Sequence, residues 1–160
     1  MKTLEQWMNE YAVSHQNETN KMLHLIFVPL IFFSIIGIIM SIPHQWLTDQ
    51  LLFLHPMLIT WATPIIILVL IFYARLSIAL ALKISVFIAI CLIINFWIST
   101  KINLFYSSIL VFAVAWIGQF YGHKIEGKKP SFLHDIQFLL IGPAWILHEF
   151  FGGKIIRAKH

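Results

Sequence analysis

No Asp, Glu, Lys or Arg occurs in residues 22–48, 50–74, 84–100 or 102–123. Uncharged apolar blocks of this size match the roughly 17–25 residues that a helix needs to cross a bilayer core. They are too continuous to be the one-sided stripes of helices on a soluble core. Hydrocarbon offers no water to the backbone, so each block must satisfy its own hydrogen bonds, which a helix does. With 59% hydrophobic and 11% charged residues and a mean hydropathy of +0.83, the chain is expected to be an all-α integral membrane protein.

The blocks divide into four expected transmembrane helices, at about 22–40, 57–73, 78–99 and 104–121. Pro29 removes one backbone hydrogen bond and marks a kink about one turn after His24, and Pro64 marks a bend in the second span. Between these spans Pro43, Asp49 and Pro56 break the connector. Upstream, Leu4, Trp7, Met8 and Tyr11 share one face at i, i+3, i+4 and i+7, the pattern of an N-terminal amphipathic helix on the membrane surface or the bundle. Downstream, "IQFLLIGPAWILHEFFGG" is interrupted by Gly142 and Pro143 and followed by Lys154, Arg157 and Lys159. A fifth crossing would place these cations on the wrong side. A broken C-terminal helix, re-entrant or interfacial, is therefore expected.

Lys2, Lys21, Arg75, Lys83, Lys124, Lys128 and Lys129 flank one side of the four-span arrangement, against Lys101 on the other. By the positive-inside rule both termini are cytoplasmic. The net charge of +4 reflects this orientation and anionic headgroups, so a lipid bilayer is the expected partner and nucleic acid is not. Cys91 stands alone within an apolar run, which excludes an internal disulfide. Glu5, Glu10 and Glu18 leave no apolar signal core in the first twenty residues, so the first run is expected to remain as an anchor. No repeat or linker divides the chain, and 1–160 is expected to be a single transmembrane helical domain.

Two polar clusters share the predicted cytoplasmic face: "HQNETNKMLH" at the mouth of the first span and "GHKIEGKKP" at the mouth of the fourth. At about 100° per residue, Asn17, Asn20 and His24 share one helix face, whereas His15 and His24, nine apart, point in opposite directions on a straight helix. For both histidines to meet at one site the chain must break near Asn17, which is a suitable N-cap. His123 and Glu126, at i and i+3, fall on the same side of a helical turn. Together His15, His24, His123 and Glu126 offer imidazole and carboxylate donors of the kind that suit non-haem Fe(II). His44 and His55 lie on the opposite connector, and His134, His148 and Glu149 belong to the broken C-terminal stretch. Nucleophile elbows, phosphate loops, dinucleotide fingerprints, HExxH and CxxC are all missing, as are the clustered histidine boxes of membrane di-iron enzymes. The competing reading is a lipid-binding or scaffold protein in which the same polar residues merely cap helices.

"HQNETNKMLHLIFVP" and "GQFYGHKIEGKKPSF", with the later "LLIGPAW", resemble the membrane-bound 2-hydroxy fatty acid dioxygenase family over nearly the whole chain. Its fungal member works in the endoplasmic reticulum on phytosphingosine degradation. The resemblance implies Fe(II)-dependent α-oxidation, in which a 2-hydroxy fatty acid and O2 give the fatty acid one carbon shorter. Carried over by position, His15, His24, His123 and Glu126 become metal ligands, and Asn17, Asn20 and Glu126 catalytic residues that orient the substrate carboxylate or the imidazoles. Gln16 stands where the fungal form has a second histidine, and that form has one more residue between Gly-His and Glu. The implied location is an integral membrane, bacterial inner or endoplasmic-reticulum, with the site at the cytoplasmic face.

Overall fold

The structure, a computed structural model, describes residues 6–7, 16–51 and 53–127. Among the described residues all regular structure is helical: α1 Glu18–Met40, α2 Gln45–Gln50, α3 Ala62–Leu76, α4 Ile78–Ser99 and α5 Leu104–Glu126, with a 3₁₀ turn at Pro56–Leu58. Of the expected N-terminal helix, Gln6 and Trp7 are helical. The rest of that helix, His15 and everything from 128 onward, including the expected broken C-terminal helix, lie outside the described residues.

Three helices, α1, α4 and α5, are long and apolar enough to cross a membrane. The expectation of four spans is met only to that extent. The second span shortens to α3, whose 15 residues extend about 22 Å, less than the roughly 30 Å of a hydrocarbon core. Its start is delayed because Pro56 opens the 3₁₀ turn and the Thr63 hydroxyl donates to the Leu58 carbonyl at 2.6 Å. Pro64 then falls in the first turn of α3, where the missing N–H has no partner to lose, so it serves helix initiation and not the expected bend. Helix α1 continues through Pro29 without interruption.

The chain forms two compact units, Met1–Ile31 with Val114–His160 and Phe32–Ala113, and α1 and α5 contribute to both. In the second unit, Ser77 separates α3 from α4: its N–H donates to the Tyr73 carbonyl at 2.8 Å while its hydroxyl accepts from Leu80 N. One stripe of α4 is buried, Leu80, Ile84, Ile88, Cys91, Leu92 and Asn95. The other faces expose Leu82, Val86, Ile90, Ile93 and Trp97. A helix that is apolar all round and exposed on most of its surface suits a lipid environment.

A polar contact ties α1 to α4 within this unit. Asn95 Nδ2 donates to the Phe33 carbonyl of α1 at 3.2 Å and to the Cys91 carbonyl at 2.9 Å. Beside it Gly37 has no side chain, and a Cβ there would collide with Asn95 Oδ1 and Ser108 Oγ. Small residues that let helices approach and an amide that bonds across them are the means by which helices associate in lipid, where burial of apolar surface gives no drive. Gly37→Ala should therefore lower stability by about 1–3 kcal/mol, the range for overpacking. Asn95→Ala should lower it by about 1 kcal/mol, typical of one such hydrogen bond. Thermal unfolding in detergent measures both, and an unchanged midpoint for Gly37→Ala would contradict the close approach.

Candidate functional site

Within the first unit, α1 begins where Asn17 caps it. Asn17 Oδ1 accepts from Thr19 N at 2.9 Å and from Asn20 N at 3.2 Å, satisfying two of the amides that a helix start leaves without partners. Gln16 and Asn17 are not helical, so α1 starts at the N-cap expected from the sequence.

The carboxylate of Glu126, in the last turn of α5, reaches the same point. Oε1 accepts from Gln16 N at 2.9 Å, and Oε2 accepts from Asn17 N and Asn20 Nδ2, each at 3.0 Å. A negative charge at a helix N-terminus meets the positive end of the macrodipole, and charge-assisted bonds of this kind are the stronger ones.

One turn further along α1, His24 is buried at 4% exposure and faces His123 of α5, itself at 8%. Their rings meet edge to face with centroids 5.1 Å apart. His24 Nδ1 lies 2.9 Å from the Asn20 carbonyl oxygen. A carbonyl only accepts, so Nδ1 carries the proton and the lone pair of the neutral ring is at Nε2. An imidazole held through one nitrogen presents the other in a fixed direction, which is how ligating histidines are oriented.

Two glycines allow the helices to come this close. A Cβ on Gly122 would meet Asn20 Oδ1, and a Cβ on Gly118 would run into the Phe27 ring. Asn20 against Gly122 and Glu126, His24 against His123 and Phe27 against Gly118 form an antiparallel register in which numbers rise on α1 as they fall on α5.

The structure thus brings together Asn17, Asn20, His24, His123 and Glu126. Glu126 is the residue whose geometry differs most from the sequence expectation. Both its oxygens are engaged by N–H donors at the start of α1, which suits a positioning role. Among the described residues no three His, Cys, Asp or Glu side chains form a group able to hold a metal. The imidazole donors His24 and His123 fit Fe(II) in type and are two members of such a set; the third expected imidazole, His15, lies outside the described residues. His44 and His55 belong to the second unit and have local partners: His44 Nδ1 meets the Ile42 carbonyl, and His55 Nδ1 accepts from Met57 N. Sequence reasoning missed Gly118 and Gly122, although "GQFYG" carries the small-xxx-small spacing of close helix pairs. It also missed Gln119, a buried residue one turn before His123 on α5.

The protein family described as 2-hydroxy-palmitic acid dioxygenase Mpo1-like matches residues 1–154. No curated protein and no solved structure shows significant similarity to the chain.

Substitutions at Glu126 and Gly122 probe this geometry. Glu126→Ala removes the acceptor for three N–H donors and should lower stability by about 1–2 kcal/mol, as loss of a helix cap does, with Glu126→Gln intermediate. Gly122→Ala should displace Asn20 and lower the midpoint at least as far. Thermal unfolding in detergent checks the order; a Glu126→Ala midpoint equal to that of the parent protein would remove the capping role.

Proposed function

The chain belongs to the Mpo1-like family of 2-hydroxy-palmitic acid dioxygenases, and from that premise we propose that it is a membrane-embedded, Fe(II)-dependent dioxygenase of 2-hydroxy fatty acids. The observation that carries the proposal is the buried His24–His123 pair, with His24 oriented by the Asn20 carbonyl. The reaction is α-oxidation: R–CH(OH)–COOH and O2 give R–COOH, CO2 and water, with cleavage of the C1–C2 bond. Atoms balance and O2 takes up all four electrons, so no separate reductant is needed.

His24, His123 and His15 are the proposed ligands. Bound Fe(II) would supply a centre at which the hydroxyl and carboxylate oxygens of the substrate and O2 meet. The chain's own part is orientation and exclusion of water. Asn20 fixes His24 through its carbonyl oxygen and fixes Glu126 through its amide. Glu126 holds the N–H of Gln16, the residue that follows the proposed ligand His15 in the chain. Asn17 and Asn20 hold the head of α1 in register. The long apolar helices accommodate the acyl chain within a membrane. By cation placement the site opens on the cytoplasmic face of a bacterial inner membrane, or of the endoplasmic reticulum in a eukaryote.

Anaerobically purified protein reconstituted with Fe(II) should hold about one iron per chain, as a mononuclear site requires. His24→Ala and His123→Ala should each abolish retention. Full retention in both variants would remove the site assignment. Iron-loaded protein given 2-hydroxypalmitate and O2 should release the fatty acid one carbon shorter. Glu126→Gln should slow this release while keeping most of the iron, in accord with a positioning role.

A further inference from the structure

We propose that Gln119 binds the polar head of the substrate, its Nε2 donating to a carboxylate oxygen; this rests on the acid being the substrate proposed above. Gln119 lies on α5 at i−4 from His123 and i−7 from Glu126, so all three share one face of the helix, with Cβ atoms at i and i+4 about 5–6 Å apart. The two downstream members of this face meet α1 at Asn20 and His24. Gln119 is 4% exposed, and its Nε2 has no hydrogen-bond partner among the described residues.

A carboxylate withdrawn from water requires donors. Most donors at this end of the first unit are already committed. The N–H groups of Gln16 and Asn17 and the amide of Asn20 go to Glu126. Those of Thr19 and Asn20 go to Asn17 Oδ1, and His24 Nδ1 goes to the Asn20 carbonyl. Lys21 is paired with Glu18 at 2.8 Å. Asn20 Oδ1 also lacks a partner, but Gly122 lies against it, and an oxygen repels a carboxylate. The Gln119 amide, one turn from His123 and so nearer the imidazole pair than the Trp116 indole N–H on the same helix, is buried with two N–H groups to give. Such a group destabilises the empty protein and is explained by a ligand that satisfies it.

The test uses the full chain in detergent, loaded with Fe(II) and kept free of O2 so that binding is read without turnover. The ligands are 2-hydroxyhexadecanoate and hexadecane-1,2-diol, which share the chain and the 2-hydroxyl and differ in the carboxylate. The parent protein should prefer the acid. Gln119→Met, close in shape, should weaken acid binding about ten- to a hundredfold, the range for one hydrogen bond to a charged group. Diol binding should stay within about twofold, and the ligand-free thermal midpoint should be unchanged or higher, as expected when an unsatisfied polar group is removed. Gln119→Asn, which keeps the amide, should retain part of the acid preference and serves if the methionine variant does not fold. Undiminished acid binding, equal loss for both ligands, a lowered midpoint with unaltered preference, or no binding of the acid by the parent would each overturn the assignment. If acid preference depends on Gln119 but O2 yields no shortened acid, the dioxygenase reading fails and the Gln119 site stands.

Discussion

A carboxylate at the end of one helix holding the amides at the start of another is the constraint on which the candidate site depends. Glu126 takes N–H groups from Gln16, Asn17 and Asn20, and so joins the last turn of α5 to the first of α1. Asn20 is buried, so its amide is expensive to leave unpaired, and the Glu126 carboxylate gains from donors held in place. Each therefore fixes the other, and with them the register of the antiparallel pair. Once Asn20 is opposite Glu126, one turn of helix brings His24 opposite His123. Gly122 and Gly118 make that register sterically possible, because a Cβ at either would strike Asn20 or Phe27.

The second unit solves the same problem with different residues. Gly37 gives the clearance, and Asn95 supplies the bond across to α1. Both units thus associate helices through a small residue and an amide, as the lack of a hydrophobic drive between helices in lipid demands. The difference lies in ionisable groups: the Gly37 cluster contains none, whereas the Glu126 end pairs a carboxylate with two imidazoles.

How much of this was legible in the sequence depended on whether a feature was local. The long helices follow from uncharged runs, and α4 has the bounds expected of it because Ser77 caps its start. The start of α1 was legible too: Asn17 is a residue type suited to a helix N-cap, and its side-chain oxygen takes the amides of Thr19 and Asn20. The length of α3 was not, since hydropathy is blind to the 3₁₀ turn at Pro56 and to the Thr63 hydroxyl that delays the helix. Nor was the work of Glu126. Its spacing from His123 gave the correct face, but only the partner helix shows that its oxygens are met by amides. The glycine spacing in "GQFYG" was visible, yet it acquires meaning only when Asn20 and Phe27 are seen against it.

The choice between a catalytic site and mere helix capping turns on depth. Capping accounts for Asn17, whose oxygen takes two helix-start amides, for Glu126, which takes two more, and for the Asn20 amide that steadies Glu126. It does not account for His24 and His123. His24 lies more than a turn inside α1, where the backbone closes its own hydrogen bonds and no orphan amide remains to be capped, and His123, in the last turn of α5, is buried against its ring. Burying two imidazoles there is unfavourable unless their ring nitrogens are used. The His24 ring uses one on the Asn20 carbonyl and thereby directs the other. Residues that only ended helices would be limited to the outermost turn. Here the polar stripe continues inward through the histidines to Gln119, as a site holding a polar head among apolar helices requires.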